Sequence, residues 1–388
     1  VAADVRQART LLELLIWERN QTQNEFAEYA ETFAREHGED ATLSVRHLQR
    51  LVAGGVYQGH RMRIQATTAR LLERIFGVSI NELLRPPPIA GQPANESAVE
   101  LRQRLSAARR IDGSVIELLY AQLGAVRRLD RQLGAIVAHD EVTAKVVQVT
   151  GLLSHSTAPR VRSRLAALLS EMRALAGWQA LDLGKPAEAW QHHELGRSAV
   201  AEYGELAPFE LQTAGQQAFV LIDIGRTGDA VELLTDVRER ANHQASRLSR
   251  AWLAAACGEV FAADGDRSAS LRAFDDAADL LPADPVTDEG PYVALDAVHL
   301  ARWRGHALAR LGVPEAVDVL ADALDRLDPT FTRAETALRV DLATAFAVTG
   351  EREEARRHAA HAADLAEEIG SARQSQRIAA LSVRLARC

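Results

Sequence analysis

Five glycines, Gly184, Gly225, Gly265, Gly312 and Gly350, recur at spacings of 41, 40, 47 and 38 residues. Each stands in a short break between long Ala/Leu/Arg/Glu segments, as in Leu183-Gly-Lys, Ile224-Gly-Arg and Thr349-Gly-Glu. A small residue lies seven positions before each (Gly177, Ala218, Gly258, Gly305, Ala343), and a small or compact one lies four or five after (Ala189, Ala230, Ser270, Ala316, Ala355). Small residues on both sides of a turn let two helices approach closely. A helix–turn–helix unit of this length cannot bury its apolar face alone, so copies in phase must stack into an α-solenoid. No convincing strand pattern occurs from residue 98 onward, and the expected fold class is all-α.

The pattern resembles the tetratricopeptide repeat (TPR), with its 34-residue unit lengthened by connections such as 281–291. About five TPR-like hairpins are expected over 166–388, after a helical connecting region over 98–165 with helices near 97–110, 114–138, 140–154 and 159–183. The resemblance implies that the first helix of each hairpin lines a concave groove. Anchored on the small residues, the inward positions are Glu171, Trp178, Asp182, Gln212, Phe219, Asp223, Trp252, Glu259, His299, Arg302, His306 and Arg310. They mix aromatic, acidic and basic groups, whereas a groove that only packed would be mostly aliphatic. His299, Arg302, His306 and Arg310 follow at helical spacing, so one wall is expected to be basic. That wall suits a carboxylate or phosphate on a small-molecule or peptide effector. The blander alternative is that these groups meet a partner subunit or acids elsewhere in the body.

Charge singles out a different region. The chain carries a formal charge of −8, yet residues 41–72 hold five arginines (Arg46, Arg50, Arg61, Arg63, Arg70), His47 and His60, and no acid. The preceding 40 residues hold nine acids against four arginines. Attraction to phosphate acts over about 8 Å at physiological salt, so a local patch can bind DNA on an acidic protein. Ser44 is a good N-cap for a helix over 44–52, with Leu43, Leu48 and Leu51 inward and Arg46, His47, Gln49 and Arg50 outward. Such side chains on a short helix can reach base edges in a major groove.

Around this helix the pattern reads as five helices in about 80 residues. A helix over 4–18 comes first. Thr22-Gln-Asn-Glu25 is a capping box for a helix over 22–36, and Ser79-Ile-Asn-Glu82 is a second for a short final helix. A polar loop is expected to run to 65, then a helix over 66–76. The segments Thr22-Gln-x-Glu25-Phe-Ala, Leu43-Ser-Val-Arg-His-Leu-Gln-Arg-Leu-Val-Ala-Gly54 and Leu72-Glu-Arg-Ile-Phe-Gly-Val-Ser-Ile-Asn-Glu-Leu-Leu84 resemble the Cro/CI-like (XRE) helix-turn-helix family. With the repeats, the chain resembles actinobacterial XRE regulators that carry a tetratricopeptide body. The segment between helices two and three, 37–42, is longer than the family's usual turn. The resemblance implies a helix-turn-helix domain over 1–84. Thr22, Gln23, Ser44, Arg46, His47, Gln49, Arg50, Arg61 and Arg63 would then be the DNA-contacting residues. Thr22 and Gln23 enter because free N–H groups at a helix start favour phosphate. Residues 85–97, RPPPIAGQPANES, hold three consecutive prolines and are expected to be an extended linker. Ser97-Ala-Val-Glu100 is a third capping box beyond it.

The expected function is a sequence-specific transcriptional regulator, a cytoplasmic homodimer on a palindromic double-stranded operator, with the solenoid dimerising and sensing an effector. The alternative is a protein-interaction adaptor whose helix-turn-helix head no longer binds DNA. No apolar run approaches the ~18 residues of a membrane span, and no leader segment is expected. Cys257 and Cys388 are the only cysteines, so free thiols are expected rather than a disulfide framework. No phosphate loop, nucleophile elbow or acid/base cluster suggests an enzyme or a cofactor. Metal sites are not expected: the adjacent His192 and His193 point apart on a helix, and His358 with His361 reads as a solvated pair.

Overall fold

The computed structural model describes residues 8–19, 21–36, 41–53, 56–57, 60–61, 64–76, 78–85, 98–283 and 290–387. They belong to two compact units, Val1–Leu101 and Arg102–Cys388. The linker expected over 85–97 lies outside the described residues, apart from Arg85.

In the first unit, α1 (Leu11–Glu18), α2 (Gln23–Glu36), α3 (Val45–Val52), α4 (Ala66–Phe76) and α5 (Ile80–Leu83) enclose one small core. Leu12, Ile16, Phe26, Leu43, Leu48, Leu51, Leu71, Leu72 and Leu83 are fully buried in it. Helix α1 starts at Leu11; residues 4–7, where the expected helix began, lie outside the described residues. Thr10 is its N-cap: its hydroxyl accepts from the Glu13 amide and donates to the Val52 carbonyl, both at 3.2 Å. The capping box at Thr22 is formed. Glu25 accepts from the Thr22 amide at 2.7 Å, and the Thr22 hydroxyl accepts from the Glu25 amide at 3.3 Å. The box at Ser79 is not formed. Ser79 makes no side-chain cap, and Glu73 takes the Ile80 amide instead at 2.7 Å. Ser97 lies outside the described residues. Where a loop was expected, β1 (Val56–Tyr57) and β2 (His60–Arg61) pair antiparallel, Val56 opposite Arg61 and Tyr57 opposite His60. Val and Tyr favour strands, and the intervening Gln-Gly pair has the composition of a two-residue hairpin connection. The fold is therefore all-helical apart from this one short ladder among the described residues.

Helix α6 (Ala98–Ala108) leads into the second unit. There α7 (Gly113–Leu133) and α8 (Ala135–His155) precede five TPR-like hairpins: α9 (Pro159–Asp182) with α10 (Pro186–Val200), α11 (Ala207–Asp223) with α12 (Thr227–Gln244), α13 (Arg247–Asp264) with α14 (Arg267–Leu280), α15 (Ala297–Arg310) with α16 (Ala316–Asp325), and α17 (Thr332–Thr349) with α18 (Arg352–Glu368). A last helix, α19 (Ala372–Arg387), covers the fifth. The expected break near 139 falls instead at Gly134, whose φ of +80° suits glycine. The small residues do what the repeat requires. A Cβ on Gly177, Gly258 or Gly305 would fall 2.5 Å from His193, Phe274 or Leu320 of the second helix of its hairpin. Ala218, Ala343, Ala189, Ala230, Ser270, Ala316 and Ala355 are fully buried.

The two ends of the second unit meet. A Cβ on Gly134, between α7 and α8, would lie 2.3 Å from the Ile369 carbonyl oxygen, and one on Gly370, before α19, would lie 2.8 Å from Ile136. Arg333 of α17 binds Asp130 of α7 at 2.5 Å and donates to the Trp178 carbonyl of α9 at 3.1 Å. Ser371 donates to Asp182 at 2.7 Å, and Arg373 grips Asp223 through two bonds of 2.6 and 2.7 Å. The solenoid is closed into a ring by charged side chains 150 to 203 residues apart in sequence.

Candidate functional site

In the first unit the candidate surface is α3. Leu48, Leu51 and Val52 are buried, while Arg46, Gln49 and Arg50 are exposed and share one face at i, i+3 and i+4. Ser44 is a cap: its hydroxyl accepts the His47 amide at 3.3 Å. His47 is only partly exposed, and its Nε2 is buried without a hydrogen-bond partner, which turns it away from the outward face expected of it. Thr22 is exposed, but both its amide and its hydroxyl donate to Glu25. Those bonds hold the Glu25 carboxyl below its ordinary pKa. The start of α2 thus already holds an anion where a phosphate was expected. Gln23, the first residue of α2, is partly exposed. The side chain of Arg61 and all of Arg63 lie outside the described residues.

In the second unit, the first helices of the hairpins surround a cavity of about 820 Å³. All twelve residues placed in the groove by register line it: Glu171, Trp178, Asp182, Gln212, Phe219, Asp223, Trp252, Glu259, His299, Arg302, His306 and Arg310. Aromatic rings make one part of the wall. Phe219 lies 5.0 Å from Trp178, 6.2 Å from Trp252 and 5.6 Å from Trp303, and the latter two are 5.7 Å apart. Such tilted and edge contacts leave flat, polarisable surface for a ligand.

The charges are mostly paired. Arg127 binds Glu171 at 2.5 Å, Arg377 binds Asp341 at 2.5 Å, and His306 Nδ1 is 3.2 Å from Glu259. Burial raises the Glu171 pKa despite Arg127. Burial also works to raise the Asp341 carboxyl, but His306 and Arg377 outweigh it and hold it below its ordinary value. His299 Nδ1 lies 2.9 Å from Asp296, and its pKa is lowered by burial and then by Arg302. The expected basic wall is therefore largely neutralised by acids of the body itself. Arg310 is exposed; Arg302, partly buried, is the exception. Arg302 makes no hydrogen bond or close ion pair among the described residues, its Nε is buried without a partner, and burial lowers its pKa. The side-chain oxygens of Gln212 and Gln216 are likewise buried without a donor. A buried polar group left unmade costs about 1–3 kcal/mol. A ligand that supplied an anion and hydrogen-bond donors would remove that cost.

Register reasoning missed the lining from the ring closure: Arg127, Asp130 and Arg131 on α7, Arg333 and Asp341 on α17, and Arg373 and Arg377 on α19. Only an arginine-rich α7 and α19 hinted at them. It also missed a cluster of His139, Glu188 and His192 on α8 and α10, the two histidines buried. His193 does point elsewhere, against Gly177. His358 is not solvated; it is buried and stacked on Phe346 at 5.5 Å. Cys257 is a buried free thiol whose pKa burial pushes up to about 11. No helix among the described residues is long and apolar enough to cross a membrane.

No protein-family model matches this chain, and no curated protein matches it. Among solved structures it is similar to a Podosopora anserina kinesin light chain protein with nearly identical TPR-like repeats, at 19% identity and a TM-score of 0.34, over 52% of this chain and 97% of that one. A single-substitution variant of that protein gives 18%, 0.35, 52% and 95%. It is also similar to a Rap protein complexed with Competence and Sporulation Factor, at 14% identity and a TM-score of 0.45, over 93% of this chain and 94% of that one.

Proposed function

We propose that the chain is a ligand-responsive, DNA-binding transcriptional regulator of the XRE type. The observation that carries the reading is helix α3. Its buried face is spent on the core, and its outer face offers Arg46, Gln49 and Arg50 in an acid-free stretch. Arg and Gln are the side chains that pair bidentately with guanine and adenine edges. As a homodimer, two such heads would read the halves of a palindromic operator. The body is the sensor, and its effector is a small molecule with an anionic group beside a flat apolar portion. That class is supported by the cavity's size, its Trp/Phe wall and unpaired Arg302.

The test is binding of the full chain to its own promoter region at two salt concentrations, with Arg46→Ala and Arg50→Ala alongside. Selective binding should weaken at least tenfold between low and high salt, as phosphate contacts require. Each variant should lose about 1–3 kcal/mol of affinity. An absence of selective binding, with and without small-molecule extract, would leave the adaptor reading in its place.

A further inference from the structure

His139 on α8 and His192 on α10 stand with ring centroids 6.1 Å apart. Glu188, one turn before His192, lies between them. His139 Nε2 is 3.2 Å and His192 Nε2 is 3.9 Å from the same oxygen, Glu188 Oε1. The three atoms lie within 4.8 Å of one another. A tetrahedral ion bound at about 2.0–2.1 Å needs ligand atoms about 3.3 Å apart; the His139–Glu188 pair already has that spacing, and His192 must close on Glu188 by about half an ångström. Both histidines are under 10% exposed, while the Glu188 side chain is 38% exposed and leaves a path from solvent.

The protons on His139 supply a second observation. Its Nδ1 is 3.4 Å from Gln179 Oε1. Gln179 is fully buried and donates its Nε2 to Asp130 at 3.0 Å, so its oxygen must face the ring. His139 therefore carries its proton on Nδ1, and in the neutral ring the Nε2 lone pair meets a carboxylate oxygen. Either a second ring proton or a cation between the two groups relieves this. A histidine that donates one nitrogen to a fixed amide and turns the other toward a carboxylate and a second imidazole has the arrangement of a metal ligand with its outer support.

We propose that His139, Glu188 and His192 form a binding site for a divalent transition-metal ion of the zinc class, with one coordination position left to solvent. Two imidazoles and a carboxylate favour zinc, cobalt or nickel over magnesium or calcium. Two cations border the site. Arg173 donates to His192 Nδ1 at 3.2 Å, so the His192 proton sits on Nε2 before loading. On loading that proton moves to Nδ1 and Arg173 withdraws. Lys185 binds the other oxygen, Glu188 Oε2, at 3.2 Å and opposes the ion's charge. The supporting chain continues from Gln179 to Asp130 and Arg333, so the ion would reinforce the contact that closes the ring.

The experiment is calorimetric titration of the chelator-treated full chain with zinc, plus visible absorption with cobalt. Circular dichroism checks that each variant is folded. One equivalent should bind per chain, with the intense cobalt bands of four-coordination and a raised melting temperature. Glu188→Gln and His192→Gln should each bind at least about tenfold more weakly. Lys185→Gln should bind more tightly, because a like charge has been removed, and His361→Gln should bind as the parent does. The proposal is overturned by no saturable binding, by Glu188→Gln and His192→Gln binding as tightly as the parent, or by a cobalt spectrum like that of the aqua ion. Should the calorimetry be silent, a direct His139–Glu188 contact with no ion takes its place.

Discussion

In the first unit, the residues proposed to meet a partner are those the core leaves out. Arg46, Gln49 and Arg50 sit opposite Leu48, Leu51 and Val52 on one short helix. In the second unit, the residues proposed to meet an effector are inside, and the same arginines and aspartates that line the cavity also tie the ring shut. An exposed recognition face can change without moving its core. An interior one cannot, because removing a charge leaves its partner buried and unpaired. Binding and stability should therefore be separable in the head and inseparable in the body.

The largest effect expected from this contrast is at Arg333. Arg333→Met leaves Asp130 and Asp182 without their cation, and should cost about 3–5 kcal/mol in urea unfolding of the second unit. The same variant should alter the tryptophan fluorescence of the cavity. Unchanged stability would mean the ring is not held by this contact.

A comparable core change in the head should stay local. Leu48→Ala should cost about 2–5 kcal/mol. Faster hydrogen exchange should appear over 11–85, with 113–387 unaltered. Spread of the effect into the second unit would erase the contrast.

A smaller effect sharpens the claim about the cavity's charges. The folded-state pKa of Asp341 is lowered from an ordinary value of 3.8, by ion pairs that outweigh its burial. A depressed carboxyl contributes stability above its unfolded pKa and loses it as pH falls through the folded one. Asp341→Asn should therefore melt below the parent at neutral pH, and the two curves should converge as pH drops below 3.8. A gap that persisted in acid would assign Asp341 a packing role instead.

The smallest effect tests the start of α2. Thr22→Ala removes both hydroxyl bonds of the capping box and should cost about 1 kcal/mol of head stability. If Thr22 also met a phosphate, DNA affinity would fall by more than this loss explains.

Much of this was legible in the residues. Ser44, Thr22 and the alternation of Leu and Arg on α3 are local signals, since cap and helix face depend on neighbours a few positions away. The groove positions were legible because each repeat carries its own ruler, the buried small residue seven before a turn glycine. Thr10 escaped because a cap that also bonds the Val52 carbonyl needs the tertiary neighbour to be recognised. Asp341 escaped because it falls nine residues before Gly350, off the register that selected the other inward positions.

The chain's own pattern determined that helices would form, where the hairpins would turn, and which faces would look inward, because these follow from periods of three to five residues and from glycines that permit positive φ. It did not determine that the solenoid would close. Closure depends on a small rotation at each hairpin summed over five of them, and on whether Arg333 then arrives within 2.5 Å of an aspartate 203 residues away. Only the tertiary structure decided that. The same summation encloses an open groove as a cavity, whereas His139 meets Glu188 through the local packing of α8 and α10 on α9.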